Sequence, residues 1–242
     1  MGIGDIARVI SSPVQTFSNI EKSKPSFLDG FLFFVFVQTF VLGFFYVFLS
    51  VIGENYWVGS LIPILIGVSP LPLLSYPGIG SYLISMALAF VEIIILSLAF
   101  HGVSKYVHKG SGSFSTIFTL LSISQIVSIF PILILPFINL SPVASMLMVP
   151  LFGYILMTII WKYLLYGFSI GTTYKISDAK IVVALILSFL VFFMVYPLIT
   201  AALFTQVSTE IMRMGTFGLP SVQYATATIE KAGESNILSI LK

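Results

Sequence analysis

An acid and a base lie deep in what reads as lipid. Glu92 falls near the middle of one long apolar stretch, and Lys162 falls in the inner half of another, beside Trp161. Ionisable residues inside a membrane segment are costly; they pair with one another, face a wet cavity, or mark a proton or ion path. If both stretches are helices ending at one surface, Glu92 lies about 12 residues from it and Lys162 about 8. At 1.5 Å rise per residue the two backbones differ in depth by about 6 Å, which a lysine stem covers. Two arrangements are open. Glu92 and Lys162 form a pair between helices, in an ion path or as a conformational latch. Alternatively Lys162 snorkels to the headgroups and Glu92 stays protonated against hydroxyls such as Ser85 or Ser97; this second arrangement is the default.

Other chemistry is sparse. His101 and His108 are seven apart, hence on one face of a helix, but two imidazoles without a third ligand are a poor metal site. Gln125 with Ser122, Ser124 and Ser128 makes a polar stripe of the kind that bridges helices in lipid. The turn "KYVHKGSGSF" has neither the G-x-x-x-x-G-K-[ST] pattern nor a preceding strand, so it reads as capping rather than phosphate binding. Gly110 is expected to end one helix in the left-handed conformation, and Ser113 to cap the next. There is no G-x-S-x-G, no H-E-x-x-H and no pair of intramembrane Asp. With no Cys there is neither a disulfide nor a thiolate site. No enzyme, no cofactor and no bound metal are expected.

The elements that carry these residues are five apolar stretches, at 27–52, 80–103, 114–140, 143–169 and 179–204. Each is long enough to cross a hydrocarbon core of about 30 Å as a helix. The chain is 58% hydrophobic and 8% charged, against about 25% charged in soluble domains, and a net charge of +2 does not suggest nucleic acid. The expected fold is all-α: a polytopic transmembrane bundle of five spans filling 27–204. Placing the N-terminus in the cytoplasm puts 8 of the 11 Lys and Arg on that side and leaves 3 in the C-terminal tail. The excess of Lys and Arg in cytoplasmic loops therefore orients the chain N-in, C-out. Residues 1–26 form a cytoplasmic segment with an amphipathic interfacial helix over 3–20, broken at Pro13. The Pro-rich 53–79 loop folds onto the outer interface, with a re-entrant path as the sharper alternative. Pro131 and Pro136 should kink the third span. Ser177 or Asp178 caps the fifth, and 205–242 is an external tail in which Glu210 and Arg213 sit one turn apart.

The runs "HGVSKYVHKGSGSFSTIFTLLSISQ" and "VPLFGYILMTIIWKYLLYGFSIGTTYKISDAKIVVALI", with Pro131 between them, resemble the YIP family of five-span membrane proteins named for interaction with Ypt/Rab GTPases. The matching positions are His101 near the end of span two, Gly110 and Gly112 followed by Phe114, Pro131, Trp161, then Ser177 and Lys180. The resemblance covers about residues 100–186 in sequence. It implies a multi-pass membrane location (the cell membrane, if the chain is prokaryotic) and a scaffold, adaptor or membrane-organising role. The partners it implies are membrane lipids, other integral membrane proteins or further copies of the chain. A small GTPase is also implied as a partner; Rab-binding eukaryotic members carry a longer cytoplasmic N-terminal region than the roughly 26 residues here, and the chain is more similar to short prokaryotic relatives. The alternative function is a transporter or channel subunit that uses Glu92 and Lys162.

Overall fold

A computed structural model describes the backbone of residues 8–52, 79–130 and 144–215, and most side chains within them. The 53–79 loop apart from its last residue, Pro131, Pro136 and residues 216–242 lie outside the described residues. Among the described residues the regular structure is all helical: α1 (Pro13–Lys22), α2 (Phe27–Ile52), α3 (Ile79–Gly102), α4 (Phe114–Ser124), α5 (Ala144–Tyr174) and α6 (Asp178–Gly215). Four of these, α2, α3, α5 and α6, are long and apolar enough to cross a membrane, while the described part of the third expected span is a shorter apolar helix, Phe114–Ser128.

Local chemistry sets the boundaries. Pro13 occupies the first turn of α1, where a missing amide proton does no harm. Ser26 and Asp29 make a reciprocal cap at the start of α2. The Ser26 amide and hydroxyl donate to Asp29 Oδ2 at 2.8 and 2.7 Å, and the Asp29 amide donates to Ser26 Oγ at 3.2 Å. This S-x-x-D box satisfies the first free amides of the helix. Ser113 caps α4 as expected, its Oγ accepting from the Thr116 amide at 3.2 Å.

The turn before α4 corrects one expectation. Beyond Gly102, α3 continues as a π turn over Val103–Val107. The wider turn shifts the angular register, so the seven-residue spacing no longer places His101 and His108 on one face. The left-handed residue that follows is Lys109, at φ 57°, rather than Gly110. Lys24 at φ 50° and Lys175 at φ 54° do the same in the α1–α2 and α5–α6 turns. A side chain in that region costs roughly 1–2 kcal/mol. Lys109→Gly is therefore expected to raise stability by about 1 kcal/mol, read as a higher Tm in detergent.

α4 is the centre of the first compact unit, 1–196. It packs on α2, α3 and α5, and Thr116 to Ser128 is buried on every side, as expected of an element apolar all round. Close approach to α2 depends on Gly30, where a Cβ would meet the Thr119 Cα at 2.9 Å and Thr119 Oγ1 at 2.7 Å. Small residues that let backbones meet are the usual basis of helix association in lipid. The helix tightens into a 3-10 turn at Gln125–Ser128. α1 and the turn before it also join this unit: Val9, ahead of α1, and Phe17, within it, are fully buried in the core, whereas Val14 is 55% exposed, and α1 packs against α5.

α6 shows an apolar surface, with Val182, Ile186, Leu190, Phe193 and Met194 all exposed. In water this would be an aggregation hazard; for a helix that faces acyl chains it is the expected surface. The first unit ends at Tyr196, and Pro197 lies inside the helix immediately after it. The second unit, 197–242, is described as helix to Gly215, so Glu210 and Arg213 lie within α6, which runs past the expected end of the fifth span at 204.

Candidate functional site

Two groups of polar residues emerge from this frame, one at membrane depth and one at the end of the bundle that carries the α1–α2, α3–α4 and α5–α6 turns.

At depth, Glu92 on α3 and Lys162 on α5 are both half-buried within the protein, and the charge of each acts on the other. The Glu92 charge also reaches Tyr163 and Tyr166 on α5 and Tyr196 on α6. Lys162 Nζ stands 6.0 Å from the centre of the Tyr166 ring, at the outer limit of a cation–π contact. Of the two hydroxyls offered to Glu92, Ser97 Oγ donates to the Ile93 carbonyl at 2.6 Å, which leaves its oxygen able to accept. Ser85 Oγ is fully buried with no hydrogen-bond partner among the described residues. Trp161, next to Lys162, likewise has a buried Nε1 without a partner among the described residues.

The polar stripe of α4 bridges helices, as its composition implies. Gln125 Nε2 donates to the Tyr166 hydroxyl at 2.9 Å. Ser128 Oγ donates to Gln125 Oε1 at 3.5 Å. Ser124 and Ser169 hydroxyls stand 3.5 Å apart, each also donating to its own helix. Lys162, Tyr166 and Gln125 thus form a polar line across the α4–α5 contact. Sequence reading found Gln125 and Lys162 but missed Tyr166, because a tyrosine among twenty-three Phe and eleven Tyr carries no signal of its own.

At the turn end, four of the family-pattern positions, His101, Gly110, Gly112 and Phe114, meet the end of α5 or one another. His101 Nδ1 and the Tyr174 hydroxyl are 2.6 Å apart, and Tyr174 is fully buried as the last residue of α5. The Phe114 ring meets His101 edge-on at 5.9 Å and lies 6.1 Å from Phe118. Gly110 and Gly112 run beneath the end of α5. A Cβ on Gly110 would stand 2.6 Å from Tyr174 Cβ, and one on Gly112 would stand 2.5 Å from the Thr173 carbonyl oxygen. So the glycines are there for close approach, and their φ is not the reason. Lys175 reaches Glu21 of α1 at 3.6 Å; Lys175 is well exposed, so that pair contributes little. Between the three turns lies a polar cavity of about 310 Å³ lined by Glu21, Lys24, Ser113, Thr173 and Lys175 among others. Ser177 immediately precedes α6, its carbonyl accepting the Ile181 amide at 3.0 Å, and Lys180 in the first turn is exposed.

Among the described residues no cluster of three or more His, Asp or Glu could hold a metal ion.

The His101–Tyr174 contact makes a direct prediction. Tyr174→Phe and His101→Ala are each expected to cost about 1 kcal/mol, and the double variant about the same as either single one, since the shared bond is lost once. Additive losses in thermal unfolding would mean that the hydroxyl and imidazole do not interact.

A helical bundle with several helices of membrane-crossing length and apolar flanks is a multi-pass integral membrane protein. The Yip1 domain model matches residues 7–208, and the chain belongs to that family. No curated protein and no solved structure matches it.

Proposed function

We propose that this protein is a non-enzymatic membrane scaffold or adaptor, with five spans, a cytoplasmic N-terminus and an external C-terminus. Its lipid-facing helices associate with other integral membrane proteins or with further copies of the chain. One observation carries this reading: the α3–α4 turn is locked against the end of α5 through His101, Tyr174, Gly110 and Gly112, while the adjoining π turn presents Tyr106 and Val107, 75% and 59% exposed, away from the core. A fixed base under an exposed aromatic and aliphatic pair suits a docking surface, because little conformational freedom is lost on binding. The orientation rests on the distribution of Lys and Arg. A photo-crosslinking residue at position 106, with the protein in its native membrane, is expected to capture a discrete partner or a second copy. A small GTPase would be identified in the same experiment. A chain that elutes strictly as a monomer and yields no crosslinked species would overturn the scaffold reading.

A second reading, a transporter or channel subunit, is favoured by the mutual field of Glu92 and Lys162 among Tyr163, Tyr166 and Tyr196. Ionisable side chains at midplane depth are how such proteins build their paths. Ion flux in proteoliposomes that is present in the native protein and equal in Glu92→Gln would remove it.

A further inference from the structure

A groove of about 830 Å³ runs along α1 and the first turns of α2, backed by Thr119 and Ile123 of α4. Its character changes along its length. It is lined by Arg8, ahead of α1, by Asn19 near its end, and by Ser23 and Lys24 in the α1–α2 turn, all exposed. Farther along α2 it is lined by Leu32, Phe33 and Phe36, with Leu32 and Phe36 58% and 60% exposed. Phe36 is nine residues beyond the first residue of α2, or about 14 Å along the helix axis. The polar-to-apolar gradient therefore follows the direction in which a membrane passes from headgroups to acyl chains. One acid lines the groove, Asp29, and its Oδ2 already accepts the amide and hydroxyl of Ser26.

We infer that this groove binds one anionic phospholipid, its phosphate between Arg8 and Lys24 and one acyl chain along Leu32, Phe33 and Phe36. The occupant is set by three features together. Two cations at an interface favour an anionic headgroup. The exposed apolar side chains continue the same cavity at acyl-chain depth, which a soluble phosphate would leave empty. The volume lies within the range of specific small-molecule sites. α1 forms one wall, and Phe17 fixes that wall in the core, being fully buried. The lipid would thus join α1 to α2 and is independent of any partner docked at the π turn.

The test is native mass spectrometry of the full chain in detergent, titrated with dioleoyl phosphatidylglycerol, dioleoyl phosphatidylcholine or glycerol 3-phosphate. One phosphatidylglycerol per chain is expected, with weaker phosphatidylcholine and no retained glycerol 3-phosphate. Arg8→Gln with Lys24→Gln should weaken phosphatidylglycerol about 30-fold, taking each interfacial cation at its usual contribution, and weaken the zwitterionic phosphatidylcholine by much less. Phe36→Ser should weaken both lipids alike. The unliganded Tm of each variant checks that it folds. As a second measurement, phosphatidylglycerol with a photoactivatable acyl chain should label residues 27–44 of the native protein. The inference fails if the double variant binds phosphatidylglycerol normally, or if glycerol 3-phosphate competes at lipid concentrations, which would mark a soluble-phosphate site. It also fails if binding appears only after residues 1–7 are removed, which would mean that the chain fills its own groove.

Discussion

Lys162→Met alone is expected to destabilise the protein by about 3–5 kcal/mol, Glu92→Gln by less, and Lys162→Met with Glu92→Gln by little more than Glu92→Gln. The first change leaves a carboxylate among Tyr163, Tyr166 and Tyr196 with its nearest cation gone, and stripping one partner from a buried pair costs on that order. Removing both replaces a charged couple by neutral groups of similar size in lipid, which is often neutral or stabilising. The competing arrangement gives a different pattern. A snorkelling Lys162 and a protonated Glu92 do not depend on each other, so the single changes would be small and would add. The measurement is reversible unfolding in mixed micelles for all four forms. Additivity within a few tenths of a kcal/mol would end the idea of a pair.

How much of this was legible in the sequence follows from what lipid does to a chain. Span existence was readable, because length and hydropathy are local properties: α2, α3, α5 and α6 begin within one residue of the expected starts at 27, 80, 143 and 179. The cap at Ser113 was readable for the same reason, since a hydroxyl directly before an apolar run has one obvious role. The equivalent cap at Ser26 and Asp29 was equally local and was overlooked beside the larger apolar signal. What could not be read was anything decided between helices. The pairing of His101 with Tyr174 spans 73 positions, and no spacing rule links them. Gly110 was expected to serve a backbone angle, whereas Lys109 adopts that angle and Gly110 provides space. The cost of a lysine in the left-handed region is recovered because both following glycines can then slide beneath α5. The π turn at Val103–Val107 inserts its extra residue without any Pro or Gly inside it, so the register of His108 could not be anticipated.

Gly112→Ala is expected to cost about 3 kcal/mol, the upper end for an overpacked site, although it adds a single methyl group. The new Cβ would lie 2.5 Å from both the carbonyl oxygen and Cγ2 of Thr173, and 2.7 Å from the Tyr174 ring. A methyl or ring can rotate aside; a carbonyl held in the last turn of α5 cannot. The α3–α4 turn must therefore lift off α5. Because His101 and Phe114 bracket that turn, the lift separates the His101 imidazole from the Tyr174 hydroxyl. Two measurements distinguish this from a general intolerance of alanine. Gly102→Ala, at the end of α3 with nothing within 4 Å of its Cβ, should be neutral or stabilising by up to about 1 kcal/mol, the ordinary helix-propensity gain. In a Gly112→Ala background, Tyr174→Phe should have almost no further effect, since the bond it removes is already broken. If Gly112→Ala unfolds at the native temperature, or if Tyr174→Phe still costs its full amount there, the glycines are not what brings the α3–α4 turn against α5, and the meeting of His101, Phe114 and Tyr174 at that end would need another cause.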